Sequence, residues 1–398
     1  MNKEISTNNT RNFFHSKLLL IFMFLALIKP GCFSEFSTLT WIGNILNYFR
    51  VIIFGICLIT FFASKMRLDK TIVFPILYYF IIIFVTIINN GPYFNLVYEL
   101  LTLMSWIILF KYHMKYNVEN FMDSLEFVFF TFITINFITV ILFPGGFYIN
   151  SSGYSNNYFL GYDNNFITYI LPGLAVTIAN SFRKKQKIDT KSIVLLIISL
   201  LTIYKVWSAT SVFIITLLVI MMILCKNNKI LKKIKLNKMI IFSIIIFFAI
   251  VIFRLQNVFS FLIEDILKKD LTFTGRTQIW NCYIELIIER PFLGYGFMDF
   301  KENIALTGAG HAHNLILNIL FQGGITALLF FSLFLIHAVN KLCKNSNKGA
   351  KLLSIIIFVY MIAYIFEVYS AATLTLFFVI LLLGIYSDKI FEREKVEK

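Results

Sequence analysis

The chain has 398 residues, of which 59% are hydrophobic and only 14% charged, and it carries a formal net charge of +15. A soluble domain is about 45–50% apolar and about 25% charged, so this chain lacks the polar surface to stand in water alone and lipid must be part of its solvent. A soluble enzyme with a membrane tail is excluded because the apolar runs extend from end to end, and the positive charge becomes a question of membrane sidedness rather than a sign of nucleic acid.

A membrane helix needs about 20 apolar residues. In chain order twelve stretches qualify, at approximately 17–33, 42–64, 71–89, 93–111, 121–144, 164–182, 192–207, 210–226, 239–255, 313–339, 351–368 and 371–388. The first reads as a membrane helix rather than a cleavable signal, because its apolar run ends at Lys29-Pro30-Gly31 without a small-residue cleavage site. The seventh and eighth are short and separated only by Ser208-Ala209, so they form a tight hairpin or one broken element. The whole predicts an all-α polytopic protein, a single integral membrane domain over 1–398. The five cysteines are scattered without CxxC spacing and indicate neither a disulfide framework nor a zinc site.

Most of the 36 Lys and Arg residues fall in alternate loops or at the two ends. Lys3, Arg11 and Lys17 come first, then Lys65, Arg67 and Lys70, then Lys111 and Lys115. Five more lie between Arg183 and Lys191, six between Lys226 and Lys238, and four between Lys341 and Lys351, with a last set from Lys389 to Lys398. The positive-inside rule makes these loops and both termini cytoplasmic. The opposite loops are then external. Residues 145–163 are rich in Gly, Asn, Ser and Tyr without Lys or Arg, and 256–312 form the one long external loop. Long ordered loops are usually functional. No internal repeat is obvious, which leaves no case for the inverted-repeat logic of transporters.

Ionisable groups inside spans are functional candidates. Arg50, Glu99, Lys205 and Glu367 stand out, each toward the outer end of its span, and Arg254 sits at an external helix end. This one-sidedness suggests a polar cavity open to the outside. The competing reading for Lys205, Arg254 and Glu367 is snorkelling to the interface. Arg50 and Glu99 lie deeper, which favours pairing, structural or otherwise, or a ligand.

Within the long loop, Ile279, Trp280, Tyr283, Ile284 and Ile287 recur at helical spacing, Pro291 ends the helix, and Gly294-Tyr295-Gly296 makes a turn. At about 100° per residue Arg276 shares a face with Trp280, Tyr283 and Ile287. An arginine at a helix N-terminus suits phosphate or pyrophosphate, and the alternative is an ordinary interfacial helix. Thr307 to Asn314 follows, with His311 and His313 leading into the tenth span. His313 would act as a general base or give its proton to a phosphate. A metal site needs more ligands than His-x-His. Gly323-Gly324 would allow a bend or close helix packing.

These residues, in this order, resemble the O-antigen ligase/polymerase superfamily of bacterial polysaccharide assembly. Its pattern is a Gly-Arg-x-x-x-Trp helix, a Pro-x-x-Gly-x-Gly turn, then His-x-His-Asn before a helix with a Gly pair. Here these are Gly275-Arg276/Trp280, Pro291/Gly294/Gly296, His311/His313/Asn314 and Gly323-Gly324. The resemblance implies a GT-C-like, all-helical membrane glycosyltransferase in the bacterial cytoplasmic membrane. Such enzymes take a glycan from undecaprenyl pyrophosphate and join it to an acceptor hydroxyl on the outer face. It also implies work beside a flippase and a chain-length regulator, with no nucleic acid and no cofactor. Arg276, with a second base such as Arg254, would clamp the pyrophosphate, and Arg50, Lys205, His311, Asn314, Trp280 and Glu367 would line the substrate site. Many members carry a mid-chain Ser-Arg; here the stretch reads Trp207-Ser208-Ala209-Thr210-Ser211, and Lys205, Arg254 or Arg50 would supply that charge. The acidic partner is Glu367 or Asp163. No DxD-like motif faces outside, so metal-independent transfer is expected. Loop 145–163 would contact sugar. The activity expected is polymerisation of lipid-linked repeat units; a ligase for finished glycan is the alternative, and a lipid-linked oligosaccharide flippase is a more remote one, against which the outer bias of the charges argues.

Overall fold

The computed structural model describes residues 16–150, 153–255, 275–368 and 371–392. The expectations for Lys3 and Arg11, for residues 256–274 of the long loop and for the basic residues after 392 lie outside the described residues.

Each of the twelve apolar stretches is helical. In chain order they are α1 (Lys17–Ile28), α2 (Thr40–Ala63), α3 (Lys70–Ile88), α4 (Phe94–Tyr116), α5 (Val118–Leu142), α6 (Phe166–Lys185), α7 (Thr190–Val206), α8 (Ala209–Leu224) and α9 (Leu236–Phe247), the last continued by a π-turn at Phe248–Ile252. After the long loop's own helices, α10 (Arg276–Glu289) and α11 (Phe300–Thr307), come α12 (Leu315–Lys344), α13 (Lys348–Phe366) and α14 (Ala371–Ile385). The chain is therefore an all-α, multi-pass membrane protein. Seven of the described helices are long and apolar enough to cross a membrane: α2, with the short turn before it, α3, α4, α5, α6, α12 and α13. Helices α1, α8 and α9 and the described part of α14 are apolar but shorter. The pair α7 and α8 is a tight hairpin, because Trp207 takes a left-handed conformation (φ 54°) and ends α7.

Local chemistry sets several helix starts. Asp69, Asn117, Asp189, Asn314 and Asn347 each accept a hydrogen bond from a first-turn N–H, and Asp299 forms a capping box with Glu302. Each cap contributes on the order of 1 kcal/mol. Packing sorts the helices by sidedness. Helices α6 and α13 are buried nearly all round, whereas α2 turns Trp41, Phe49, Ile52, Ile59 and Phe62 outward. Apolar side chains at that exposure fit a lipid-facing wall. Helix α12 lies along α3, and α14 packs among α4, α6 and α12.

The glycine pair breaks a helix. Gly324 has φ 60° and ψ −164° within α12, and Ile325 N–H donates to the Pro291 carbonyl (2.8 Å) instead of to its own helix. The Phe321 and Gln322 carbonyls on the other side of the break accept from Tyr295 and Gly296 N–H, at 2.7 and 2.9 Å. The Pro291–Gly296 turn thus supplies the partners that the broken helix lost, as buried backbone groups require. A Cβ on Gly324 would sit 2.2 Å from the Phe292 carbonyl carbon, so the turn and the break fit only without one.

Loop 145–163 folds into a small hairpin, Asn157–Tyr158 against Gly161–Tyr162. It docks on the chain after α1: Cys32 N–H donates to the Phe159 carbonyl, and Gly31 lies against Leu160 and Gly161, where a Cβ would come within 2.7 Å.

Candidate functional site

Three helix ends meet at Arg276, His313 and Glu367: the starts of α10 and α12 and the end of α13. Gly275 (φ 82°) turns the chain into α10, so Arg276 is the first helical residue. Trp280 and Tyr283, on the same face, are fully buried, and Tyr283 packs edge-on against Phe321 of α12. The amphipathic reading of this helix holds, and its buried face aims the arginine at the bundle. Asn314 caps α12 by accepting from Leu317 N–H (3.0 Å) and donates from its amide to the Ile365 carbonyl (2.9 Å). That second bond staples the start of α12 to the end of α13, where Glu367 follows.

Glu367 is the hub. It is buried, and its Oε2 lies 3.2 Å from the Arg276 guanidinium. Arg276 also donates to the Phe366 carbonyl. The other oxygen, Oε1, lies 2.8 Å from His313 Nδ1, 3.1 Å from Val368 N–H and 3.8 Å from His311 Nε2. The His311 and His313 rings are 4.1 Å apart, and His313 holds a left-handed backbone (φ 46°) with its N–H directed at His311 Nδ1. Non-glycine residues at positive φ tend to persist where surrounding contacts fix them. A guanidinium beside a buried carboxylate favours its ionised form. Desolvation, followed by the neighbouring His313 and Arg276, lowers His311 to about 4, so its ring is neutral at neutral pH.

The ligand atoms of His311, His313 and Glu367 all lie within 4.8 Å of one another. The fold thus adds the third ligand that His-x-His alone lacked. Arg276 already balances the same carboxylate, so the group is satisfied electrostatically without an ion.

A cavity of about 800 Å³ opens onto this cluster. One part of its wall is apolar and aromatic, from Tyr78, Tyr79, Ile82, Leu96 and Phe300; another is polar, from Asn303, Asn318 and Gln322. The described part of loop 145–163 contributes Asn150, Tyr154 and Tyr162. Tyr78, Tyr79 and Asn303 carried no sequence signal. Asn318 and Gln322 did carry one, since with Asn314 they form an i, i+4, i+8 polar stripe on one face of an apolar helix.

The remaining expected residues do not join the cluster. Arg254 lies against α10 instead: it donates to the Thr277 carbonyl (3.2 Å) and Asn281 Oδ1 (2.6 Å) and stacks over Trp280. Lys205 is exposed near the end of α7 and makes no ion pair among the described residues. Arg50 is buried, donates to the Ala26 and Leu27 carbonyls and faces Glu99 at 3.8 Å. Asp163 is buried in the turn before α6 and is not part of the Glu367 cluster.

Residues 192–332 match the O-antigen ligase family. The match fits the superfamily inferred from the motifs, whose members are membrane glycosyltransferase-like ligases and polymerases acting on lipid-linked glycans. It spans α7 to the broken α12 and includes Arg254, Arg276, Trp280, His311, His313 and Asn314. It ends before Glu367. No curated protein matches the chain.

Proposed function

We propose that the chain is a polysaccharide polymerase of this O-antigen ligase type. It joins undecaprenyl-pyrophosphate-linked repeat units on the outer face of the bacterial cytoplasmic membrane, with both termini inside. The observation that carries the reading is the Glu367–His313 contact of 2.8 Å beside Arg276. A carboxylate accepting from Nδ1–H fixes the imidazole tautomer and leaves Nε2 as the proton acceptor. His313 Nε2 takes the proton of the acceptor hydroxyl as its oxygen bonds to the anomeric carbon of the donor sugar. The bond from that carbon to the pyrophosphate oxygen breaks, and its electron pair leaves with the pyrophosphate. Arg276 has five N–H donors, of which the Glu367 and Phe366 contacts use two, so the fork retains donors for the departing anion. Transfer needs no metal, because the leaving group is already good and a guanidinium meets its charge. The apolar wall of the cavity receives the start of the lipid, and Tyr154 and Tyr162 meet sugar.

The experiment is replacement of Arg276 or His313 by Ala in the producing host, with protein in the membrane quantified. Single repeat units should accumulate. Full-length polymer left on the carrier would instead assign the ligase activity that the matched family's description names. Wild-type polymer from both variants would falsify the site.

A further inference from the structure

A second cavity, of about 450 Å³, lies beside the first, and Glu35 and Asn165 line both. Its walls come from the end of α1, the start of α2, the start of α4 and the hairpin. The lining is mostly amide and charge: Asn44, Asn47, Asn95 and Asn165 with Lys29, Arg50 and Glu99. Tyr48 and Tyr98 stand at its edge, both exposed.

Three observations bear on what fits there. Charges cancel, because Lys29 and Arg50 are matched by Glu35 and Glu99, so neither an anion nor a cation gains a net field. Arg50 is tied down by two carbonyls and Glu99, and Lys29 donates to Asn47 (3.0 Å). Glu99 nevertheless keeps a free acceptor: its buried Oε2 has no hydrogen-bond partner among the described residues. A buried carboxylate oxygen without a donor is costly. Hydroxyl groups suit this lining, since each donates to carboxylate or amide oxygen and accepts from amide N–H.

We propose that this cavity is a carbohydrate subsite, which holds an uncharged, hydroxyl-rich sugar residue of the glycan while the reacting hydroxyl lies in the larger cavity at His313. Sugar hydroxyls bind the asparagine amides and the Glu35 carboxylate that line the cavity, and Tyr48 or Tyr98 covers a ring face. The inference rests on the function proposed above and adds the place and chemistry of glycan recognition.

The test uses membranes containing the full chain. The substrate is the lipid-linked glycan extracted from cells of the same host that lack this chain. Asn44→Leu and Asn95→Leu change exposed positions, so folding is spared while the amides are lost. Apparent KM for the glycan should rise about tenfold, as loss of a good hydrogen bond predicts, with kcat within about twofold, and Asn95→Gln should recover part of the loss. Unchanged KM, or a fall in kcat alone, overturns the subsite. If a variant is lost from the membrane, the unmodified chain is tested with the free oligosaccharide cut from its lipid by mild acid. Competition with the lipid-linked glycan supports the subsite, and no competition at millimolar concentration overturns it. Arg276→Ala runs alongside: wild-type turnover in that variant overturns the function itself, whereas its loss with normal KM in Asn44→Leu and Asn95→Leu overturns the subsite alone.

Discussion

His313 Nδ1 lies 2.8 Å from Glu367 Oε1, two residues 54 apart in sequence that meet where α12 begins and α13 ends. Neither residue alone is informative. Together they set an imidazole against a buried carboxylate, and the same carboxylate also holds Arg276.

The first consequence concerns Glu367→Gln. The amide keeps size but cannot hold both the tautomer of His313 and the charge of Arg276. Turnover of lipid-linked glycan should fall about 10²-fold or more, the usual worth of a positioned base, with protein level in the membrane retained. Activity within threefold of wild type would remove Glu367 from the mechanism.

Arg276→Lys should not rescue. A lysine cannot donate in a fork to the Phe366 carbonyl, Glu367 and a pyrophosphate oxygen together. A loss of more than about tenfold in turnover is expected, and near-normal rates with lysine would show that a point charge suffices.

The His311 ring gives a pH dependence. Its pKa is lowered from 6.5 to about 4 in the folded protein, first by desolvation. Below the unfolded value the unfolded chain binds a proton that the folded chain refuses, so stability is present above 6.5 and is lost as pH falls toward 4. The unfolding midpoint of the detergent-purified protein should drop across that window, and His311→Gln should flatten the drop. Equal slopes in the two proteins would remove His311 as the source.

The helix break can be tested by two glycines. Gly324→Ala places a Cβ 2.2 Å from the Phe292 carbonyl carbon at a positive φ, whereas nothing lies within 4 Å of a Cβ at Gly55 in α2. The first should destabilise by several kcal/mol through strain and displacement of the turn. The second should be neutral or stabilise by about 0.5–1 kcal/mol. Thermal midpoints of the two variants decide it, and a stable Gly324→Ala would mean that the break is not required.

Metal removal is the last test. His311, His313 and Glu367 could ligate an ion by geometry, but Arg276 already neutralises the carboxylate. Dialysis against a strong chelator should leave turnover unchanged. Loss of activity that zinc restores would replace the base mechanism with a metal-bound one.

Much of this was legible in the chain. Twelve apolar stretches became twelve helices because length and hydropathy dominate in lipid. The Gly-Arg-x-x-x-Trp helix, the proline turn and the His-x-His-Asn start are local, and each appears where its residues lie. The joining was not legible. Glu367 was one of two acidic candidates because tertiary proximity leaves no trace in spacing. Arg254 was expected beside the pyrophosphate on charge alone, yet it braces α10. Arg50 and Glu99 stood out in the sequence as a pair or a ligand contact; the structure sets them 3.8 Å apart, with Arg50 also lining the smaller cavity.

The Asn314 staple to Ile365 has a consequence for dissection of the protein. The stretch that matches the family stops before the carboxylate that organises its histidines and arginine. A shortened chain that ended after α12 would keep every recognisable motif and still lack the centre around which they are arranged. The motif-bearing segment is therefore not a transplantable module, and chimaeras with proteins of the matched family should exchange it only together with α13 and the residue that follows.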